Sequence, residues 1–369
     1  MNVFVCSTPI QIMRAVYMRY AMEEFKDPAD LYIRPTFKNA KQIAERIRET
    51  GLFSAVYLVD LSSLGRAVSA RLLYGKDKWA RLIRSMDYKR VVAFNIESEL
   101  LSALYNKNKN IKDFQYHYVE DAPGMYKMYA PKRYPQVSLN GILGIEQPYY
   151  HTDQWWFSDP DFMDIPNVEL RTVKKLPPVD IYDDIFIGLI NKVFSFTPDA
   201  ALNEADIFIT EESFYTDGKM LDNCDYILYK EIKDYFPDRN IVIKLHPRTK
   251  HNRFVADFKI MDGTWVPWEL HVMNGLRQKQ HFPIQIGIVC SALTSDKFMF
   301  NVESPKIVLA PLFREKIRSM ADGSSNVDEE VIKKFEALRK TYIRSEQMMI
   351  TYEKEQLFDT LEKWFDMKV

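Results

Sequence analysis

A strand-then-helix alternation runs through this chain twice, and it restricts the fold more than any other feature. In the first half, residues 3–6 read as a strand. Ser7-Thr8-Pro9 follows, with a helix N-cap and a proline suited to the first helical turn. Residues 11–25 then carry helical periodicity, and further strands are expected at 31–33, 55–59, 91–95 and 114–119. Helical stretches separate them at 38–50, 66–84 and 97–105. Such alternation is the pattern of parallel sheets covered by helices.

The second half repeats the grammar. Strands are predicted at 206–210, 241–244, 284–289 and 306–309, helices at 221–235 and 268–276, and a mostly helical tail at 328–368. Between the halves, Leu176-Pro177-Pro178-Val179-Asp180 reads as a hinge. The expected fold is therefore α/β, two Rossmann-like domains facing across a cleft, the arrangement termed GT-B. The expected division is 1–176 for an N-terminal, acceptor-side domain and 177–345 for a nucleotide-binding domain, with a helix at 346–369 crossing back. The stretch 149–162, rich in Trp, Asp and Pro, reads as irregular. Its Trp155, Trp156 and Tyr149 suit either a sugar platform or, slightly better, the core.

Composition removes several classes. A net charge of −1 over 369 residues argues against a nucleic-acid binder, whose affinity comes largely from phosphate neutralisation. Cys6, Cys224 and Cys290 are odd in number and far apart, giving neither a disulfide framework nor metal spacing. A reducing cytoplasm is expected, since the N-terminus lacks a basic, apolar leader and no run approaches a membrane span. Peripheral membrane contact stays open.

The residues that carry chemistry cluster at predicted strand ends. His246 follows the strand 241–244, in Lys244-Leu245-His246-Pro247-Arg248. In open α/β sheets that edge is where ligands bind. Pro247 stops the ladder, and Arg248 offers a forked cation for phosphate or carboxylate. Glu120-Asp121 closes the strand 114–119 and could take a proton from a hydroxyl, or be an acidic turn. Asp217-Gly218, Glu211 and Glu212 follow the strand ending at Thr210. Ser291, after the strand 284–289, opens a small-residue turn that lets backbone N–H groups approach a phosphate. Glu269 begins a helix and could accept ribose hydroxyls, or serve as a first-turn charge. No G-x-G-x-x-G or Walker loop occurs, and Asp159-Pro160-Asp161 is a poor metal motif, so no metal or cofactor is expected.

Taken in order, Asn2-Val3-Phe4-Val5-Cys6-Ser7-Thr8-Pro9-Ile10-Gln11, Tyr118-Val119-Glu120-Asp121, Lys244-Leu245-His246-Pro247-Arg248 and Cys290-Ser291-Ala292-Leu293-Thr294 resemble the bacterial sialyltransferases. The match looks like glycosyltransferase family 52, the lipooligosaccharide sialyltransferases. Ala122-Pro123 displaces the glycine of the first motif, and the hydroxyl pair appears as Cys290-Ser291. The resemblance implies a metal-independent, inverting transfer of sialic acid from CMP-sialic acid to a galactoside hydroxyl of a surface glycan such as lipooligosaccharide or capsule. It assigns His246 to the CMP phosphate, Pro247 to the cytosine, Ser291 to phosphate and Glu269 to ribose. Lys244 and Arg248 would act electrostatically, and Asp121 or Asp217 would be the base, with Glu211 and Glu212 next in line. It also implies a homodimer. The rival readings are a GT-B transferase of another nucleotide-activated sugar and an inert binding protein of the same fold.

Overall fold

The structure, a computed structural model, describes residues 1–60, 87–94, 99–121, 148–162, 172–220, 222–246, 249, 251–263, 265–278, 282–318, 323, 325 and 327–366. These form two compact units, Met1–Phe196 and Thr197–Val369. The helix expected at 66–84 lies outside the described residues.

Among the described residues, the first unit is built on seven parallel strands: β1 (Asn2–Cys6), β2 (Ala29–Ile33), β3 (Ala55–Leu58), β4 (Arg90–Ala93), β5 (Gln115–Val119), β6 (Gln154–Phe157) and β7 (Val173–Lys175). Their order is β3-β2-β1-β4-β5-β6-β7, which reverses direction between β1 and β4. β1 and β2 are buried along their whole length, which is why residues 3–6 and 31–33 read as apolar runs. Helix α1 (Pro9–Ala21) starts as expected, with Pro9 in its first turn and the Thr8 hydroxyl accepting the N–H of Gln11 at 3.4 Å. Helices α2 (Ala40–Glu49) and α3 (Glu99–Asn108) complete its regular crossovers among the described residues.

Residues 149–162 are not irregular as expected. β6 pairs with β5 in parallel, and Tyr149, Trp155 and Trp156 are all buried. Trp155 packs against Tyr118, 5.2 Å between ring centroids, and Tyr149, 5.0 Å. These aromatics are core, and a sugar platform is not available from them.

The chain does not divide at the prolines. Helix α4 (Asp184–Phe194) packs on α1 and α2. Phe186 lies 5.1 Å from Tyr17 and 5.4 Å from Tyr20, ring to ring. The Tyr20 hydroxyl donates to Asp183 at 3.1 Å, and the Tyr17 hydroxyl to the Pro178 carbonyl at 2.7 Å. Pro177 and Pro178 thus lie within the first unit, and the division falls after Phe196 rather than at 176/177.

The second unit has six parallel strands in the order β10-β9-β8-β11-β12-β13. They are β8 (Ile207–Thr210), β9 (Ile241–Lys244), β10 (Lys259–Ile260), β11 (Ile284–Gly287), β12 (Lys306–Val308) and β13 (Met348–Ile350). Direction reverses at β8/β11. Helices α5 (Cys224–Tyr235), α6 (Trp268–Arg277), α7 (Glu329–Lys340) and α8 (Lys354–Asp366) belong to this unit.

The tail differs from the expected run of helix, because β13 interrupts it and pairs with β12. The terminal helix lies within the second unit. α8 packs its aromatics where α5 ends: Phe358 on Tyr235 at 4.8 Å and Phe365 on Phe236 at 5.3 Å. Lys354 pairs with Glu231 at 2.6 Å. No described helix is long and apolar enough to cross a membrane.

Candidate active site

In the second unit, the carboxyl ends of β8, β9 and β11 meet at the reversal of strand order, where open α/β sheets bind ligands. Glu211 and Glu212 leave β8, His246 leaves β9, and Ser291 leaves β11. Two approaches hold these ends close. The Glu211 N–H donates to the Lys244 carbonyl at 3.0 Å. At Gly287 a Cβ would sit 2.6 Å from the Thr210 hydroxyl, so only glycine fits there without a shift.

Lys244 closes β9 and is buried. Burial pulls its ammonium down to about 8, against the opposing pull of Glu269 and Cys290. Glu269 sits in the first turn of α6 and is buried as well. Two residues further on the same helix, His271 is held down to about 3 by burial and then by the Lys244 charge, so it is neutral at physiological pH. Burial pushes the Cys290 thiol up to about 12, helped by Glu212 and Glu269. Lys244, Glu269, His271 and Cys290 thus form one electrostatic neighbourhood. Ser291 is exposed and opens a short turn, its carbonyl accepting both the N–H and the hydroxyl of Thr294 at 3.0 Å.

Asp217 lies half-buried on the turn after β8. Its N–H donates to the Ser213 carbonyl at 2.7 Å, and the Ser213 hydroxyl donates to its carboxylate at 2.8 Å. Gly218 follows at φ +68°, a conformation that favours glycine. Pro247 and Arg248 lie outside the described residues, as do Ala122-Pro123-Gly124.

Arg253 was not anticipated, and Glu211 and Glu212, named from the sequence only as further candidate bases, make contacts that were not. Arg253 binds Asp225 and Asn223, reaches within 3.8 Å of Glu211, and packs 4.3 Å from the Tyr215 ring centroid and 4.5 Å from that of Phe254. Glu211 accepts the His246 N–H at 3.0 Å and the Thr249 hydroxyl at 2.7 Å, and burial raises its pKa. Glu212 accepts the N–H of Val289, with Ile288 and Cys290 N–H groups also directed at it, yet burial still pushes it up to about 7. The one signal available in the sequence was the acidic pair itself at a strand end.

In the first unit, Glu120 and Asp121 separate in role. Glu120 is fully buried and paired with Arg14 of α1 at 2.8 Å, with the Ser158 hydroxyl also donating to it. Asp121 is half-buried next to it, and its charge adds to the burial that raises the Cys6 thiol. Asp159 caps its own turn by accepting the N–H groups of Asp161 and Phe162, at 3.2 and 3.3 Å. No His, Cys, Asp and Glu cluster suited to a metal occurs among the described residues.

No protein-family model matches the chain, and no curated protein sequence does. Solved structures do. The UDP-GlcNAc 2-epimerase of Methanocaldococcus jannaschii, in complex with UDP-GlcNAc and UDP, superposes with a TM-score of 0.54 at 13% identity, over 98% of this chain and 92% of that one. The UDP-GlcNAc 2-epimerase of Neisseria meningitidis, bound to UDP-GlcNAc, gives 0.50 at 14% identity, over 98% and 100%. At such identity the likeness is one of fold. The chain is an α/β protein of the GT-B fold, with one Rossmann-like sheet in each unit.

Proposed function

We propose that the chain is a nucleotide-sugar-dependent glycosyltransferase, and specifically an inverting sialyltransferase that uses CMP-sialic acid. The observation that carries this is the gathering of His246, Lys244, Glu269 and Ser291 at the carboxyl ends of β9 and β11 and the start of α6. These are the residues that the family 52 resemblance assigns to the donor. Pro247 and Arg248 join them by sequence alone.

In the proposed reaction, an acceptor galactoside hydroxyl of a surface glycan attacks the anomeric carbon of sialic acid. A carboxylate takes the hydroxyl proton. The new C–O bond forms as the bond to the CMP phosphate oxygen breaks, and CMP leaves with its charge met by His246. Asp217 and Asp121 are both proposed for the base, one from each unit. Glu120 is withdrawn from that role by its ion pair with Arg14. The transfer is proposed to need no metal, because a monophosphate leaving group has less charge to neutralise than a diphosphate. We place the reaction in the cytoplasm, at the membrane periphery, with the chain as a homodimer.

Thermal-shift titration with CMP, UDP, GDP and CMP-sialic acid tests the donor. Selective stabilisation by the cytidine nucleotides is expected. Turnover should survive EDTA. Replacing each candidate base by Asn should lower kcat in one variant only, with CMP affinity retained. A second reading is favoured by the two epimerase structures, which contain UDP-GlcNAc. In that case the site takes a UDP-sugar, and selective stabilisation by UDP would replace the sialyltransferase reading with it.

A further inference from the structure

Glu211 and Glu212 are consecutive residues at the end of β8, which lies between β9 and β11 in the sheet. Their carboxylates serve opposite neighbours. Glu211 holds the loop after β9, accepting the His246 N–H at 3.0 Å and the Thr249 hydroxyl at 2.7 Å through a single oxygen. Glu212 holds the loop after β11, accepting the Val289 N–H two residues before Ser291. Both are thus committed to backbone that must otherwise find partners in a crowded strand-end region. An unmade hydrogen bond to a buried group costs more than the bond itself contributes.

From this geometry we infer that Glu211 and Glu212 are positioning residues, a two-sided clamp that fixes the His246 backbone relative to the turn carrying Ser291. Neither is a proton carrier in the transfer. This rests on the proposed function for its catalytic consequence, but not for its structural one. The clamp sets the gap into which a leaving phosphate must fit, with His246 on one side and Ser291 on the other. A shift of about 1 Å in such a frame can cost about 10²-fold in rate.

Paired Ala and Gln substitutions separate the clamp from acid–base chemistry, because Gln keeps an acceptor oxygen and loses the titratable proton. Glu211→Ala should lower kcat by about 10²-fold, and Glu211→Gln should recover at least about tenfold of that, since one oxygen makes both bonds. Glu212→Ala should raise the KM for the donor, with Glu212→Gln intermediate because one amide oxygen replaces two carboxylate oxygens. Gln variants as impaired as the Ala variants would overturn the inference in favour of a proton-transfer role.

Hydrogen exchange in the free protein supplies a readout independent of donor identity. Glu211→Ala should deprotect the His246 amide and leave Val289 alone, and Glu212→Ala should do the reverse. Unchanged protection in both variants, or equal loss at both amides through general loosening, overturns the clamp. Local deprotection as expected, in a protein that binds no nucleotide, would leave the clamp standing and remove the proposed function.

Discussion

The two units share a doubly wound parallel sheet and spend their strand-end carboxylates differently. In the first unit, Glu120 at the end of β5 is fully buried and turned inward onto Arg14 and Ser158, tying a helix and the loop after β6 to the sheet. In the second unit, Glu211 and Glu212 at the end of β8 turn toward the backbone of neighbouring loops. An ion pair between side chains fixes elements that are already rigid. A carboxylate on backbone N–H groups fixes loops, and loops on a rigid scaffold carry chemistry. The comparison therefore predicts that damage to the first unit's cluster appears as lost stability, and damage to the second unit's strand ends as lost turnover.

The largest effect that would sharpen this contrast is at His246. His246→Ala should reduce turnover by about 10²–10⁴-fold. Its unfolding free energy in urea should stay within about 0.5 kcal/mol of wild type, as for a substitution away from the core. Unchanged turnover would remove His246 from the mechanism and break the contrast.

Next comes Arg14. Arg14→Ala leaves the Glu120 carboxylate buried without its partner, which should cost about 3–5 kcal/mol in urea denaturation. Arg14→Met combined with Glu120→Leu should regain most of that, since an apolar pair of similar volume avoids desolvating two charges. If the double variant were as unstable as the single, the pair would be doing more than internal packing.

A smaller effect is expected at Gly287→Ala. The added Cβ would press on the Thr210 hydroxyl and on Leu293, so a loss of about 1–3 kcal/mol should appear in the unfolding free energy in urea. Donor affinity should fall as well, because the β8 and β11 ends would separate. Lost stability with unchanged donor affinity would show that the spacing of these strands does not govern the site.

A last effect is a pH dependence from Lys244. Its ammonium deprotonates at about 8 when folded, against 10.5 ordinarily. Between those values the unfolded chain binds more protons, so this residue makes stability rise as pH rises. Below about 8 the full cost of burying the charge is present. The urea midpoint of Lys244→Met relative to wild type should therefore exceed it most near pH 7 and lose that advantage toward pH 10. A constant difference across that range would show that Lys244 stays protonated in the folded chain.

Much of this was legible in the sequence, for a physical reason. Strands buried on both faces appear as continuous β-branched and apolar runs, so residues 241–244 and 207–210 stood out. Once strands are placed, their carboxyl ends follow, and His246, Ser291 and Asp217 were singled out as candidates that way. β6 escaped because Trp155-Trp156-Phe157 beside Asp and Pro resembles a loop, although adjacent aromatics suit a strand with two buried faces. β10 has only two residues and β13 three, too few to show a period. The domain division was misplaced because the prolines mark a bend in the chain, whereas the packing of Phe186 on Tyr17 and Tyr20 decides the boundary. The role of Glu212 was hidden because its partner Val289 lies 77 residues away.

The position of β13 bears on the order in which the molecule can be made. The seven described strands of the first sheet are synthesised by residue 175, so that sheet can close while the second is still emerging from the ribosome. The second sheet waits for Met348–Ile350 before β12 is covered. Until then β12 presents an unpaired edge, the kind of template on which nascent chains associate. A translation stop or proteolytic cut before Met348 would thus leave the strand-end site of β8, β9 and β11 already encoded, in a product prone to aggregate rather than one merely shortened.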